Sequence, residues 1–117
     1  MIFNIENTST NDLVIYERGL PWTWRYSTTV VLVGTDVTGT ILKTTYPIAD
    51  RSHDRIHFAP GKVLTGKIDL TERFPALRRE LERHEIIVFW TYEMDYLNFD
   101  SASRFGGWFQ IQKPAAG

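Results

Sequence analysis

The stretch Ile86-Ile87-Val88-Phe89-Trp90-Thr91-Tyr92-Glu93-Met94-Asp95 carries the strongest structural signal in the chain. Every second residue from Ile86 to Met94 is large and apolar, and the residues between them become polar from Thr91 onward. Alternate side chains of a β-strand lie on opposite faces of a sheet, so this period of two predicts a strand. We expect this strand to lie in the middle of a sheet, buried on both faces at first and later on one.

Other segments show the same alternation over shorter lengths. The further predicted strands are Phe3 with Ile5, Leu13 to Tyr16, Thr28 to Val33 (ending at Gly34), Thr40 to Tyr46, Val63 to Leu70, and Trp108 to Ile111. The polar segment from Ala49 to Arg55 is predicted to be a loop. Residues 75–83 are predicted to form one short helix, because Phe74, Leu77 and Leu81 make an apolar stripe at helical spacing. Thr71 is predicted to cap the backbone of this helix. About seven or eight short strands indicate an all-β, antiparallel β-sandwich, formed as a single domain by residues 1–117.

The composition excludes several classes of function. A chain of 117 residues, 43% of them hydrophobic, can build one core. A net charge of −1 argues against nucleic acid as a partner, because phosphate binding requires a basic surface. The absence of cysteine rules out disulfides, thiolate metal sites and a cysteine nucleophile. No apolar run approaches the roughly 20 residues of a membrane span, and no secretory signal is visible before Glu6, so we expect a cytoplasmic protein without a membrane partner.

The sequence offers little catalytic chemistry. His53 and His57 are four residues apart, which on a strand separates them by about 13 Å, too far to share one ion. Motifs for a serine nucleophile elbow, a phosphate-binding glycine loop or a zinc helix are missing. We therefore expect no enzyme activity, no metal and no cofactor. A small hydrolase, in which His53 or His57 meets Asp50 or Asp54 in a pocket, remains an alternative.

Aromatic residues are the main candidates for binding, because Trp, Tyr and Arg dominate protein interfaces. If the segment Trp22-Thr23-Trp24-Arg25-Tyr26 is extended, Trp22, Trp24 and Tyr26 share one face, with Arg25 opposite. Near the end of the chain, Trp108 lies on the same polar face of the predicted strand as Gln110 and Gln112, and Arg104 precedes it. The predicted partner-binding residues are Trp22, Trp24, Arg25, Tyr26, Arg104 and Trp108, with the loop from Ala49 to Arg55 as a rim. The competing interpretation is that Trp22, Trp24 and Tyr26 pack mainly into the core.

A series of short motifs adds a family resemblance. The motifs are Asn7-Thr8-Ser9, Asp12-Leu13-Val14-Ile15, Leu20-Pro21, Ala59-Pro60-Gly61, Ile68-Asp69-Leu70-Thr71 followed by Phe74, and a late strand with Trp90 and Tyr92. Their order resembles the immunoglobulin-like β-sandwich that precedes the catalytic domain in relatives of deuterolysin and peptidyl-Lys metalloendopeptidase. The charged segment from Pro75 to Glu85 departs from that pattern, and the protease domain is absent. The resemblance implies an immunoglobulin-like fold and a non-catalytic domain that associates with another protein.

Together these observations predict a non-catalytic protein-binding module, of the inhibitor or immunity type that neutralises a partner protein. Self-association into a homo-oligomer is left open. The alternative function is a carbohydrate-binding sandwich in which Trp22, Trp24 and Tyr26 stack on sugar rings.

Overall fold

The computed structural model describes residues 1–23, 30–44 and 54–113. Within them the chain is mostly β-structure with two small helices, which confirms the predicted all-β class. The strands are β1 (Ile2–Glu6), β2 (Leu13–Tyr16), β3 (Val30–Asp36), β4 (Arg55–Phe58), β5 (Val63–Lys67), β6 (Ile86–Asp95) and β7 (Ala102–Ile111). The helices are α1 (Leu70–Arg73) and α2 (Leu77–Leu81), and two 3-10 turns cover Glu17–Gly19 and Pro21–Thr23. No helix of the described segments has the length and apolarity needed to cross a bilayer.

All strand pairs are antiparallel and form three small sheets. β1 pairs with β5, β2 pairs with β4, and β6 lies between β3 and β7. The central position of β6 agrees with the sequence prediction for residues 86–95. Its register places Val33, Phe89 and Trp108 side by side across the three strands.

The core lies between the β1–β5 sheet and one face of the β3–β6–β7 sheet. The ring of Phe3 in β1 meets Trp90 edge to face with 5.5 Å between centroids, and its centroid lies 6.3 Å from that of Tyr92. We call the face of the three-stranded sheet that carries Trp90 and Tyr92 its inner face. Its buried residues include Val30, Leu32, Ile86, Val88, Tyr92 and Met94.

The predicted helix is shorter than expected and is preceded by another. α2 covers Leu77–Leu81, inside the predicted range of 75–83. The predicted strand from Val63 ends at Lys67, because the Asp69 carboxylate accepts a hydrogen bond from the Thr71 N–H (2.9 Å) and starts α1. The capping residue is therefore Asp69, and the assignment to Thr71 was wrong.

Two further strand predictions need correction. β3 passes through Gly34, where the sequence suggested an end, because its pairing with β6 continues to Asp36 opposite Ile86. The Phe74 ring packs on this glycine: a Cβ there would lie 3.3 Å from Cε1 of Phe74. Residues 40–44 form no strand; they contribute one bridge between Thr35 and Ile41. The rest of that predicted strand lies outside the described residues.

The segment predicted as a loop from Ala49 to Arg55 is mostly outside the described residues as well. Its last residue, however, starts β4, which the sequence reasoning did not identify. Ile15 and Phe58, on the paired strands β2 and β4, are both buried, so this small sheet contributes to the core.

Candidate protein-binding surface

The side of the β3–β6–β7 sheet opposite the inner face exposes several large apolar side chains. Strand alternation sends every second side chain to this side. We call it the outer face and define it by Val31, Val33, Phe89, Thr91, Glu93, Arg104, Gly106, Trp108 and Gln110.

Four large apolar side chains of the outer face are open to solvent. The exposed fractions are 65% for Trp108, 52% for Val31, 48% for Phe89 and 36% for Val33. Val33, Phe89 and Trp108 are neighbours on adjacent strands, so three of the four form one row. A contiguous apolar row on a sheet differs from single scattered hydrophobic residues, and exposed apolar patches are typical of interaction surfaces.

Charged groups border this row at one end. Nε of Arg104 donates a hydrogen bond to Oε2 of Glu93 at 2.9 Å, and both side chains are substantially exposed. Partial desolvation and then repulsion from the Glu93 carboxylate raise the pKa of the neighbouring Asp95. The polar end of the outer face therefore presents a cation flanked by two carboxyl groups.

At the opposite end, the Gln110 side-chain amide donates to the Glu85 carboxylate. Between the two ends, Gly106 lies opposite Thr91 and leaves a gap in the side-chain layer. Val31, Thr91, Glu93 and Arg104 are among the residues that line a depression of about 480 Å³ near the charged end that carries Glu93 and Arg104. The outer face thus has an apolar row, a shallow depression and charged ends, which are typical components of a protein interface.

The structure places the sequence-predicted binding residues in separate regions. Arg104 and Trp108 lie on the outer face, and the prediction that Trp108 and Gln110 share an exposed side of the strand is confirmed. Trp22 is half-buried and packs against β5, with its indole over Gly66. Trp24, Arg25 and Tyr26 lie outside the described residues.

The geometry at Trp22 bears on the carbohydrate alternative. That hypothesis needs an extended chain, but Pro21–Thr23 forms a 3-10 turn, so the chain is not extended at Trp22. One face of its indole is also occupied by the backbone of Gly66. The aromatic row was predicted on the condition that the chain is extended from Trp22 to Tyr26. This condition is not met at Trp22.

Sequence reasoning missed Val31, Val33 and Phe89 as surface residues. The apolar run at the start of β6 predicted burial on both faces, but Phe89 is 48% exposed. A continuous apolar run has the same pattern whether its second face is covered by the same chain or left open for a partner. The signal that was available is the alternation at Val31 and Val33, which places both on the same side of β3.

Residues considered for catalysis or metal binding lie elsewhere. Asp54 and His57 are exposed, next to and within β4, whereas Asp50 and His53 are outside the described residues. The described segments contain no group of three or more His, Cys, Asp or Glu side chains placed to hold a metal ion.

Comparisons with known proteins do not add a family: no family model, curated protein or solved structure matches this chain significantly. The resemblance to the domain that precedes the deuterolysin-type catalytic domain therefore stays a prediction.

Proposed function

We propose that this chain is a non-catalytic protein-binding module that neutralises a partner protein, as an inhibitor or an immunity protein does. The observation that supports it is the outer face, with its exposed row of Val33, Phe89 and Trp108. Exposed apolar surface costs free energy in water, and covering it with a partner recovers about 25 cal/mol per Å² of apolar area. The proposal includes no catalysis, no cofactor and a cytoplasmic location.

The chemistry of the outer face suits a protein better than a nucleic acid or a sugar. Trp and Arg are the residue types that contribute most to protein–protein affinity, and Trp108 and Arg104 are separated by one outward position, Gly106. Aliphatic Val31 and Val33 supply flat apolar area without hydrogen-bonding groups. The Glu93–Arg104 pair at the edge can select a partner by charge.

The test uses the purified chain as bait with two matched variants. Phe89→Lys places a charge in the centre of the outer face, and Val63→Lys places the same charge at an equally exposed apolar position of β5. A protein retained by the wild-type chain should be retained by Val63→Lys and lost by Phe89→Lys. With the retained protein in hand, its affinity for Phe89→Lys should fall by about tenfold or more.

The outcome also distinguishes binding from neutralisation. The proposal expects the activity of the retained protein to decrease in proportion to complex formed with the wild-type chain. If both lysine variants bind the retained protein equally, or if no protein is retained by the wild type, the outer face is not the binding surface that we propose.

A further inference from the structure

The outer edge of β7 is the last edge of the three-stranded sheet. β7 is ten residues long, and no other described strand pairs with it on the side away from β6. Natural edge strands are commonly protected by proline, charged side chains, a bulge or short length. β7 contains no proline, and its one charged residue, Arg104, is paired with Glu93 of β6. The register of β7 with β6 is continuous from Ala102 to Ile111, without a bulge.

The hydrogen-bond pattern shows which backbone groups of β7 point outward. The N–H of Leu42 donates to the Gly34 carbonyl at 2.8 Å, so the backbone groups of Gly34 point away from β6. In an antiparallel pair the residue opposite, Val88, then points its own groups away from β3 and toward Phe109 of β7. The backbone groups of Trp108 and Gln110, on either side of Phe109, therefore point away from β6. The outward-pointing residues are therefore Ala102, Arg104, Gly106, Trp108 and Gln110.

We propose that β7 pairs antiparallel with β7 of a second copy of this chain, about a two-fold axis at Gly107. Hydrogen-bonded pairs must join outward-pointing residues, which restricts the register to steps of two residues. With Gly107 on the axis, Trp108 lies opposite Gly106 of the second copy, and the strands overlap over nearly their whole length. An axis at Gly106 would place Trp108 opposite Arg104, and an axis at Trp108 would place two indoles opposite each other.

Shape favours the register at Gly107. A Trp side chain over a glycine occurs within the chain already: Trp90 lies opposite Gly107, where a Cβ would be 3.2 Å from Nε1 of the indole. Gly106 also lacks a side chain, so the Trp108 side chain of the second copy can lie over it in the same way. Trp108 is the most exposed large apolar residue of the sheet, so this contact covers the surface that costs most in water.

The same register avoids charge repulsion. Arg104 of one copy lies opposite the neutral Gln110 of the other, so the two Arg104 side chains are kept apart, and each stays paired with Glu93 of its own chain. The dimer joins two outer faces into one six-stranded surface, and it does not depend on the proposed binding of a foreign protein.

The first test measures oligomeric state by sedimentation over a range of concentrations. We expect a monomer–dimer equilibrium for the wild type. Trp108→Lys should weaken dimerisation about thirtyfold or more, the effect of losing a central interface residue. Val63→Lys, at an exposed apolar position of β5 in a different sheet, should leave the dimer intact. A chain that is monomeric at every concentration, or a dimer weakened equally by both variants, overturns the proposal.

The second test reads the register and exploits the absence of cysteine in the chain. Gly107→Cys should form an intermolecular disulfide with itself under mild oxidation, because position 107 lies on the axis. Phe105→Cys alone should not, since its two copies would be about 13 Å apart along the strands. A mixture of Phe105→Cys and Phe109→Cys should crosslink, and this pair does not rely on space at Gly107. Crosslinking of Phe105→Cys alone, or none in the mixture, would contradict this register.

The two proposals fail separately. A strictly monomeric chain that still loses its protein partner on Phe89→Lys overturns the dimer only. A dimer that is intact in Phe89→Lys and neutralises no protein overturns the proposed function only.

Discussion

The indole of Trp22 lies directly on the backbone of Gly66, so close that a Cβ at position 66 would stand 2.0 Å from Cδ2 of the ring. Trp22 belongs to the 3-10 turn Pro21–Thr23, and Gly66 is in the middle of β5. The contact fixes the chain that follows β2 against the β1–β5 sheet, and it requires a residue without a side chain at position 66.

Gly66→Ala should therefore destabilise the protein by about 2–3 kcal/mol, because the indole must leave its site to admit the methyl group. Chemical denaturation measures the free energy of unfolding. Gly19→Ala is the matched control, since a Cβ at Gly19 meets no atom within 4 Å. In a Trp22→Ala background the Gly66→Ala change should cost much less, and additive effects of the two substitutions would contradict the contact.

The alternation that defines the sheet could be predicted from the sequence because it depends on the residues themselves. β6 appears where the pattern of residues 86–95 predicts it, with Ile86, Val88 and Met94 turned inward. β4 was missed because Arg55 and His57 occupy its outward positions and give the segment a polar composition, although Ile56 and Phe58 alternate with them.

Other features depend on distant partners and therefore could not be predicted. Residues 40–44 have the composition of a strand, but Ile41 makes only a bridge to Thr35. The exposure of Phe89 is a property of the whole fold as well, because no local pattern shows whether a second layer covers the outer face. Trp108 was identified because Gln110 and Gln112 follow it at a spacing of two and mark its side of the strand as polar.

Tyr92 connects the inner face to the turn after β2. Its hydroxyl donates a hydrogen bond of 2.7 Å to the Gly19 carbonyl, and its ring is buried. Tyr92→Phe keeps the ring and removes the hydrogen bond, so we expect a loss of about 1 kcal/mol in the free energy of unfolding at neutral pH. Unchanged stability would show that water replaces the hydroxyl at no cost.

Burial also raises the pKa of Tyr92 above its ordinary value of 10.0, which makes stability depend on alkaline pH. A raised pKa in the folded state favours the protonated form there. The contribution of the protonated Tyr92 hydroxyl to the free energy of unfolding is complete below pH 10. It is lost as the pH rises from the pKa of the unfolded state toward that of the folded state. Unfolding measured from pH 8 to 11 should show a steeper loss of stability for the wild type than for Tyr92→Phe.

Asp36 should contribute an acid-dependent part of the stability. Its Oδ1 accepts hydrogen bonds from the Thr38 hydroxyl (2.7 Å), the Thr38 N–H (2.9 Å) and the Thr40 N–H (2.9 Å). These bonds, first that of the Thr38 hydroxyl, lower the pKa of the carboxyl below 3.8. A lowered pKa stabilises the folded state above the unfolded pKa, and this contribution disappears as the pH falls through the folded value.

The free energy of unfolding, measured from pH 6 to 2, should therefore fall below about pH 4 for the wild type. Asp36→Ala should start from a lower stability at pH 6 and lose less between pH 4 and 2. Asp100→Ala removes an exposed carboxylate from the segment between β6 and β7 and should leave the stability at pH 6 unchanged. Equal pH profiles for Asp36→Ala and the wild type would show that the turn does not need the ionised group.

Asn98 joins the small β2–β4 sheet to the segment between β6 and β7. Its Nδ2 donates to the Asp12 carbonyl at 2.8 Å, and its Oδ1 accepts from the Val14 N–H at 3.0 Å. The Leu97 N–H adds a bond of 2.7 Å to the Val14 carbonyl. The amide thus serves a donor of β2, the Val14 N–H, and an acceptor just before the strand, the Asp12 carbonyl. We expect Asn98→Ala to cost about 1–2 kcal/mol, the sum of two partly exposed hydrogen bonds.

Asn98→Asp separates the two bonds. A carboxylate can still accept from the Val14 N–H, but it meets the Asp12 carbonyl with an acceptor in place of a donor. This variant should be at least as destabilised as Asn98→Ala near neutral pH and should recover on acidification, when the carboxyl gains a proton to donate. Amide exchange at Val14 supplies the local measurement, because its N–H should exchange faster in Asn98→Ala and stay protected in Asn98→Asp. Equal exchange at Val14 in the wild type and Asn98→Ala would mean that Asn98 does not hold this edge of β2.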